Sequence, residues 1–376
     1  MINETIIAYR PWPSKKVHTH LLDGRRRLCY ADGDVTVTCQ VNGEMPVPED
    51  EMQWPEIPED IEPAASMPLP SPEELPEGYK SGFVAVIGKP NVGKSTLMNR
   101  YVGQKVAIVS PKPQTTRRRI LGIRTDDRAQ IIFVDTPGIH EPLHKLGEFM
   151  VETATRAVPD ADLILFMVDV SEHPTEEDRK ISEILREHAH SPILLVLNKV
   201  DLLAPDEIDA HAAPYRDLVE HVNAILISAT EGTGTEQLLN EIIEMLPAGP
   251  QYYPADQITD QAERVIAAEL IREQVLHYTH QEVPHAVAVV VEEWKQRHED
   301  LTYISATIYV EKESQKGILI GSKGSMLKRI GKAARRELEQ FVGNRVYLDL
   351  WVKVRKRWRK DEKALRWLGY SLPKKK

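Results

Sequence analysis

The sequence has 376 residues, more than one hydrophobic core usually accommodates, so we expect at least two domains. Its formal net charge of −9 is uneven: residues 28–79 contain no Lys or Arg, whereas residues 348–376 contain eleven of them against three carboxylates. The two cysteines, Cys29 and Cys39, fit neither a CxxC redox pair nor a complete metal-ligand set. This composition excludes a disulfide scaffold and a cysteine-rich metal protein.

The chain carries no sequence signal for export or membrane insertion. Residues 1–7 lack a basic start followed by a long apolar core, and no stretch of about eighteen uncharged apolar residues occurs. We expect a cytoplasmic protein in a reducing compartment.

The first two segments of the chain have no assigned chemistry. Residues 1–43 combine short β-like segments, such as Asp34–Thr38, with turn signals, and form an N-terminal extension of unknown fold. Residues 44–79 follow, with nine Pro and eleven Asp or Glu between residues 44 and 77. Because this composition cannot bury enough apolar surface to offset chain ordering, it predicts an acidic, disordered linker.

Residues 80–246 alternate β-branched apolar runs with helical patterns, which predicts an α/β domain with a mostly parallel sheet. Sheets of this kind bind ligands at the carboxyl ends of their strands, so the loop after each strand is a candidate site. The predicted strands are Phe83–Ile87, Ala107–Val109, Ile131–Val134, Leu163–Val168, Ile193–Leu197 and Ala224–Ile227.

The first of these loops has the pattern of a P-loop. Gly88 and Gly93 allow successive N–H groups to face inward, and the following helix adds positive potential where a triphosphate would lie. Lys94 would reach the β- and γ-phosphates, and the Ser95 hydroxyl would bind Mg²⁺. The predicted nucleotide-binding residues of this loop are Gly88, Lys89, Pro90, Asn91, Val92, Gly93, Lys94, Ser95 and Thr96.

The loop after Ile131–Val134 reads Asp135-Thr136-Pro137-Gly138. A carboxylate at Asp135 is placed to hold Mg²⁺ opposite Ser95, and Gly138 lets its backbone N–H approach a γ-phosphate. The loop therefore adds a metal ligand and a catalytic backbone group.

Two later loops select the base. Asp201, in Asn198-Lys199-Val200-Asp201, can accept two hydrogen bonds from guanine N1–H and N2–H₂, whereas adenine offers an acceptor at N1 and no amine at C2. In Ser228-Ala229-Thr230, the backbone N–H of Ala229 is placed to meet guanine O6. With Asn198, Lys199 and Ser228 as further binding residues, the pattern predicts GTP and GDP as ligands.

The loop Pro113-Gln114-Thr115-Thr116-Arg117 is polar enough to move. A Thr there would supply a second hydroxyl to Mg²⁺ and sense the γ-phosphate; we favour Thr116 and leave Thr115 open. The predicted metal ligands are then Ser95, Thr116 and Asp135. The residue after Gly138 is Ile139, which cannot orient a water molecule, so we expect slow intrinsic hydrolysis.

A proline- and tyrosine-rich linker, residues 247–259, leads to a second domain at residues 260–376. Its pattern predicts a helix over 260–280, strands at 286–293 and 302–311, a helical region over 317–341, a strand at 345–354 and a last helix over 361–370. No internal repeat is evident. The order helix, strand, strand, helix, helix, strand defines a small α+β domain.

A Gly-x-x-Gly turn interrupts the helical region of this second domain. Its glycines let a nucleic-acid backbone pack against protein backbone, and the neighbouring cations supply charge for phosphates. The predicted RNA-binding residues are Gly321, Ser322, Lys323, Gly324, Lys328 and Arg329.

A second basic surface is predicted at residues 353–360, interleaved with Trp351 and Trp358. Its cations offer additional phosphate contacts and its tryptophans offer base stacking. For Trp351 we favour packing in the core.

Residues 82–246 resemble the translation-factor-related GTPases in the order of their motifs, and Tyr252–Asp260 together with Pro113–Arg117 is similar to the bacterial Era GTPase family. The second domain resembles a type II KH domain. The resemblance implies GTP hydrolysis, binding to the 3′ end of 16S ribosomal RNA and maturation of the 30S subunit. It also implies peripheral contact with the inner face of the cell membrane, and we expect a monomer.

The Era resemblance also bears on catalysis. The family is similar in lacking the water-orienting Gln, which implies a water molecule positioned by backbone groups and by a bound monovalent cation. Related GTPases with Asn at the place of Asn91 are potassium-activated, so K⁺ is a candidate cofactor; selection of Asn91 for loop geometry alone is the alternative. The predicted catalytic residues are Lys94, Thr116, Gly138 and Asn91.

Other interpretations remain open. A tandem-G-domain or tRNA-modification GTPase is disfavoured because we find one P-loop and no cysteine after Cys39. An RNA-binding scaffold with a hydrolytically silent nucleotide site is a third. Residues 1–79 depart from the Era pattern. They are a disordered appendage, which we favour, a tether for a basic partner, or a cover over the basic second domain that RNA displaces.

Overall fold

Three strands precede the α/β domain and form an antiparallel meander. The computed structural model describes residues 17–22, 25–32, 35–40, 70, 75–112 and 114–370. The strands are β1 (Val17–Leu22), β2 (Arg25–Asp32) and β3 (Val35–Gln40), with β2 between the other two. The β-like segment predicted at residues 34–38 is confirmed from Val35 onward. Most of the predicted disordered linker lies outside the described residues, as do residue 113 and residues 371–376.

A six-stranded sheet carries the loops predicted to bind nucleotide. Its spatial order is β5-β6-β4-β7-β8-β9, and all neighbours are parallel except β5, which runs antiparallel to β6. The strands are β4 (Lys80–Ile87), β5 (Ile120–Thr125), β6 (Ala129–Asp135), β7 (Leu163–Asp169), β8 (Ile193–Asn198) and β9 (Asn223–Ile227). This arrangement confirms the predicted α/β fold.

Five helices alternate with these strands and bury both faces of the sheet. They are α1 (Lys94–Val102), α2 (Lys145–Ala157), α3 (Glu176–His188), α4 (Ile208–Arg216) and α5 (Thr235–Met245). Every residue of β6, β7 and β8 is buried, which explains why their sequences are continuous apolar runs rather than alternating ones.

The second domain has the predicted element order. It contains α6 (Glu263–Tyr278), β10 (Ala288–His298), β11 (Leu301–Val310), α7 (Glu313–Ile320), α8 (Ser325–Val342), β12 (Arg345–Val354) and α9 (Glu362–Trp367). β10 pairs with β11 antiparallel, and β11 pairs with β12 parallel. β3 then pairs with β12, so the sheet has six strands in the order β1-β2-β3-β12-β11-β10. Within the described ranges, no helix has the length and apolar character needed to cross a membrane.

The predicted strand Ala107–Val109 is wrong, and the strand β5 was not predicted. Residues 107–109 form an irregular loop, and Ile108 packs into the hydrophobic core of the second domain, 2 % exposed. The apolar run is therefore buried by the other domain rather than by a sheet. β5 escaped prediction because Gly122, Arg124 and Thr125 dilute its apolar pattern and it pairs with β6 alone.

We expect Ile108→Ala to lower the free energy of unfolding by about 2–4 kcal/mol, because the truncation leaves a cavity in the core of the second domain. Val109→Ala is the matched control: Val109 is 38 % exposed, and its truncation should cost less than about 1 kcal/mol. Four of the six tryptophans lie in the second domain, so tryptophan fluorescence during denaturant unfolding measures the effect. Equal losses in the two variants would contradict the packing of Ile108 described above.

Candidate functional site

The loop after β4 is a cradle that requires glycine at two positions. A Cβ at Gly88 would lie 2.3 Å from the backbone oxygen of Met167, and one at Gly93 would lie 2.4 Å from Nδ2 of Asn198. Gly93 also has a φ of 105°, which L side chains rarely adopt. The loop borders a cavity of about 1060 Å³, large enough for a nucleotide, lined among others by Asn91, Lys94, Ser95, Thr96, Thr116 and Lys199.

Lys94 is buried under this loop at the start of α1. Its Nζ donates to the backbone oxygens of Gly88 at 3.0 Å and Lys89 at 2.9 Å. Burial lowers the pKa of the ammonium to about 8, while the Asp135 carboxylate opposes the shift. Phosphate oxygens beside Lys94 would favour its charged form, which the predicted binding of the β- and γ-phosphates requires.

Three oxygen-bearing side chains meet beside the cradle. Ser95 Oγ donates to Asp135 Oδ2 at 2.7 Å, and Thr116 Oγ1 lies 3.0 Å from Ser95 Oγ and 3.3 Å from Asp135 Oδ2. Asp135 is fully buried, and its Oδ1 has no hydrogen-bond partner among the described residues. Burial raises the pKa of this carboxyl group, and a divalent cation would reverse that shift. Because Mg²⁺ prefers oxygen ligands, these residues fit the predicted metal.

The two threonines that are candidate metal ligands, Thr115 and Thr116, have different surroundings. Thr115 Oγ1 donates to the backbone oxygen of Lys112 at 2.6 Å. Thr116 Oγ1 faces Ser95 and Asp135 instead. The structure therefore places Thr116, the residue favoured from the sequence, with the other predicted metal ligands.

Asn198 joins two loops of the site. Its Nδ2 donates to the backbone oxygen of Val92 at 2.7 Å, and its Oδ1 accepts from the backbone N–H of Ala229 at 2.9 Å. The Ala229 N–H, expected from the sequence to meet guanine O6, thus has Asn198 as its acceptor. Asn198 therefore links the P-loop to the loop after β9 through one hydrogen bond to each.

The remaining base-site residues lie at the same edge of the sheet. Lys199 forms an ion pair with Asp169 at the end of β7, and Asp201 is exposed. Ser228 is buried, and its Oγ accepts from the backbone N–H of Glu231 at 3.0 Å. The loops after β4, β7, β8 and β9 therefore converge as predicted from the strand order.

Lys89 has a contact that the sequence interpretation missed. Its Nζ lies 3.1 Å from Asp178 Oδ2 and 3.3 Å from Glu172 Oε2. Asp178 is fully buried and also accepts hydrogen bonds from Thr175, which caps α3. Lys89 therefore ties the P-loop to α3. The capping-box spacing of Thr175 and Asp178 is the sequence signal that points to this anchor.

The loop after β6 is tightly packed against the P-loop. A Cβ at Gly138 would lie 2.5 Å from the backbone nitrogen of Pro90, so only glycine fits. Ile139 is buried in a core cluster and cannot orient a water molecule. His140 Nε2 lies 2.9 Å from Gln114 Nε2, which links this loop to the one that carries Thr116.

Asn91 stands at the outer side of the cradle with a left-handed φ of 65°. Its Nδ2 donates to the backbone oxygen of Pro111 at 3.0 Å, in the loop that carries Thr116. This orientation commits the amide nitrogen to protein and leaves the amide oxygen as the group suited to a cation.

The loop that carries Thr116 is anchored in the second domain by its next residue, Arg117. This guanidinium is 2 % exposed, and its carbon lies 5.8 Å from the centre of the Trp358 ring. Its nitrogens donate over 2.6 to 3.3 Å to the backbone oxygens of Pro284, His285 and Val287. Arg118 donates to the backbone oxygen of Leu368. Thr116 thus belongs to the candidate metal site, whereas the next residue, Arg117, belongs to the interface with the second domain.

Further contacts hold the same loop to α6. The buried Arg272 pairs with Glu269 and donates to the backbone oxygen of Thr115. Glu273 accepts from the backbone N–H of Val109 at 2.8 Å and from Lys105 Nζ at 2.6 Å. Thr115 and the segment from Lys105 to Val109 are therefore also held to the second domain.

The Gly-x-x-Gly turn has the backbone that the sequence predicts. Gly321, Lys323 and Gly324 have φ values of 69°, 51° and 78°, so two of three left-handed positions use glycine. Ser322, Lys323 and Arg329 are exposed. Lys328 is half-buried, and Arg329 stacks over Tyr278 with 4.4 Å between guanidinium carbon and ring centre. These residues form one cationic surface at the start of α8.

The expected packing of Trp351 in the core is wrong. The fully buried tryptophan of this segment is Trp358. Trp358 is fully buried, donates from Nε1 to the backbone oxygen of Ala286 at 3.0 Å and packs beneath Arg117. Trp351 is half-buried on the other face of the sheet and donates to Asp349 Oδ2 at 3.1 Å. Trp358 is thus unavailable for base stacking.

Comparison with known proteins agrees with this architecture. A family model described as 50S ribosome-binding GTPase matches residues 83–199, and a KH domain model matches residues 282–359. The chain is 42 % identical to Era in complex with MgGDPNP and nucleotides 1506–1542 of 16S ribosomal RNA, with a TM-score of 0.72, covering 100 % of that chain and 78 % of this one.

A second solved structure is a point variant of Era from Aquifex aeolicus bound to GDP and aluminium fluoride. It shares 42 % identity and a TM-score of 0.71, with the same coverage of 100 % and 78 %. The fold and the site define a GTP-hydrolysing G domain joined to a KH domain. The chain belongs to the Era GTPase family.

We expect Asp201→Asn to weaken GDP affinity at least about a hundredfold, because the amide would oppose a donor with a donor at one of the two guanine contacts. The same variant should gain affinity for xanthosine diphosphate, whose C2 oxygen accepts a hydrogen bond. Asp206→Asn, an exposed carboxylate of the same loop, is the matched control. Calorimetric titration with both nucleotides measures the change, and equal losses for the two bases would refute the role of Asp201.

Proposed function

We propose that this GTPase binds the 3′ end of 16S ribosomal RNA through its KH domain and assists maturation of the 30S subunit. Support comes from the cationic Gly321–Gly324 turn and from the similar Era structure that contains this RNA. The direct contact of the Thr116 loop with the second domain carries the proposal, since it gives nucleotide state a physical route to the RNA surface.

In this proposal, Ser95, Thr116 and Asp135 hold Mg²⁺, and Lys94 binds the β- and γ-phosphates. The metal supplies charge neutralisation for phosphoryl transfer. Loss of the γ-phosphate releases Thr116, and Arg117 moves with it because the two residues share one peptide bond. The backbone oxygens of residues 284–287 then lose their donor, which alters how the KH domain is held.

The buried guanidinium makes this coupling strong. Removing Arg117 from its site would leave three carbonyl oxygens without a charged donor in a dry environment. Each such loss costs about 1–3 kcal/mol, comparable to the coupling free energies of known switches.

We also propose that K⁺ assists hydrolysis by binding at Asn91. The support is the buried Ile139 in place of a water-orienting side chain and the amide oxygen of Asn91 beside the mobile loop. Exchange of Na⁺ for K⁺ at constant ionic strength should raise the rate of GTP turnover at least about tenfold, and Asn91→Ala should abolish that difference. Equal turnover in both salts would remove K⁺ from the mechanism.

We expect the RNA affinity of the wild-type chain to differ between GDP and a non-hydrolysable GTP analogue, and Arg117→Lys to lose most of that difference, because a lysine cannot reach three oxygens in one plane. Arg119→Lys is the matched control, since Arg119 is exposed two residues further on. Fluorescence anisotropy with a 16S 3′-end RNA at fixed salt measures both states.

The same assay tests the RNA surface. Lys323→Glu should weaken binding in both nucleotide states at least about tenfold, whereas the same charge change at Lys180, exposed on α3, should not. A wild-type chain with equal affinity in both states would contradict the coupling, and an inert Lys323→Glu would contradict RNA binding at the turn.

A further inference from the structure

The N-terminal meander is attached to the KH domain through a sheet edge. β3 pairs in parallel with β12 over Val35–Val37 and Leu348–Leu350. It also contacts α8, the helix that begins directly after the Gly-x-x-Gly turn. These strands lie outside the G-domain match, which begins at residue 83.

The sequence of β3 matches this position. Val35 and Val37 are in register with Leu348 and Leu350, which are fully buried on the helix-covered face of the sheet. The two valines of β3 therefore stand at the register positions of buried leucines, and Thr36 stands at that of Asp349. The alternation is that of a strand fitted to this edge.

The same edge lies beside the proposed RNA surface. α7 and α8, which flank the turn, both pack on β12. A nucleic-acid strand held at Gly321–Gly324 would therefore lie close to β12. An open sheet edge offers it unpaired N–H and C=O groups, and at Leu348–Leu350 β3 occupies that edge.

The charge of the chain after β3 is a further property that it shares with RNA. α8 contains five Lys or Arg against two Glu, whereas the chain from β3 to Tyr79 contains no Lys or Arg and many carboxylates. The chain from β3 to Tyr79 and RNA thus share a negative charge, which suits a partner of the cationic α8.

We propose that the edge of β12 is the docking site of the chain's own strand β3, and that single-stranded RNA displaces β3 when it binds the KH domain. This inference rests on the proposed RNA-binding function. The pairing suits an exchangeable cover, because it uses three residues of the ten in β12. The apparent RNA affinity is then reduced by the fraction of molecules in which β3 is docked.

The test uses the full chain with a non-hydrolysable GTP analogue and a 16S 3′-end RNA. Val37→Asp places a charge at the register position of the buried Leu350 and should raise RNA affinity about tenfold by releasing β3. Thr38→Asp adds the same charge to the same strand outside the three-residue pairing and should bind as the wild type does. Lys323→Glu reports whether binding occurs at the turn.

The outcomes separate the two claims. Binding that requires Lys323 but is unchanged or weaker in Val37→Asp overturns the displacement and leaves the RNA function standing; weaker binding would mean that the meander is part of the RNA surface. Equal effects of the two aspartates also overturn it. Binding that does not depend on Lys323 overturns the RNA function and, with it, the inference.

A second measurement needs no variant. Amide hydrogen exchange of the wild-type chain should show that the amides of residues 35–37 that bond to β12 are protected without RNA and lose protection in the RNA complex, whereas residues 38–40, which pair with β2 alone, keep theirs. Protection of residues 35–37 that is unchanged at saturating RNA would overturn the displacement.

Discussion

The peptide bond between Thr116 and Arg117 joins the candidate metal site directly to the interface with the KH domain. Thr116 faces the carboxylate and hydroxyl that are suited to Mg²⁺, and Arg117 is buried against the backbone of residues 284–287. No hinge or long lever separates the two environments. A displacement of Thr116 would therefore pass to Arg117 directly rather than through the six-stranded sheet, both faces of which are buried.

The charges around this bond are balanced locally. Burial and the neighbouring Arg272 both lower the pKa of Arg117, whereas Tyr370 and Glu269 oppose that shift. Such a cluster is costly to leave partly paired, because buried charges lose their solvation. The interface therefore favours a fully docked arrangement over loosely attached intermediates.

Much of the nucleotide site was predictable from the sequence because its chemistry is local. A glycine loop between a strand and a helix, or an aspartate after a buried strand, carries its geometry within a few residues, and Gly88, Ser95, Asp135 and Thr116 lie where these patterns place them. The element order of the KH domain followed in the same way from periodicity and its glycine turn.

Apart from the missed strand β5, whose own apolar pattern is diluted, the errors concern contacts between distant parts of the chain. Ile108 looked like a strand residue because its burial comes from the other domain. Trp358, expected to offer base stacking, is buried beneath Arg117, whereas Trp351, expected in the core, is half-buried. The carbonyl partners of Arg117 and the carboxylates that hold Lys89 lie on other elements. The attachment of β3 to β12 likewise has no signal in either strand alone.

That attachment also bears on the order of synthesis. Val35 and Leu348 are roughly 300 residues apart, so β3 leaves the ribosome long before its partner strand exists. Loop closure over such a distance is slow, and the G domain can complete its own sheet first. The pairing of the meander with the KH sheet can therefore form only after the final strand of that sheet has been synthesised.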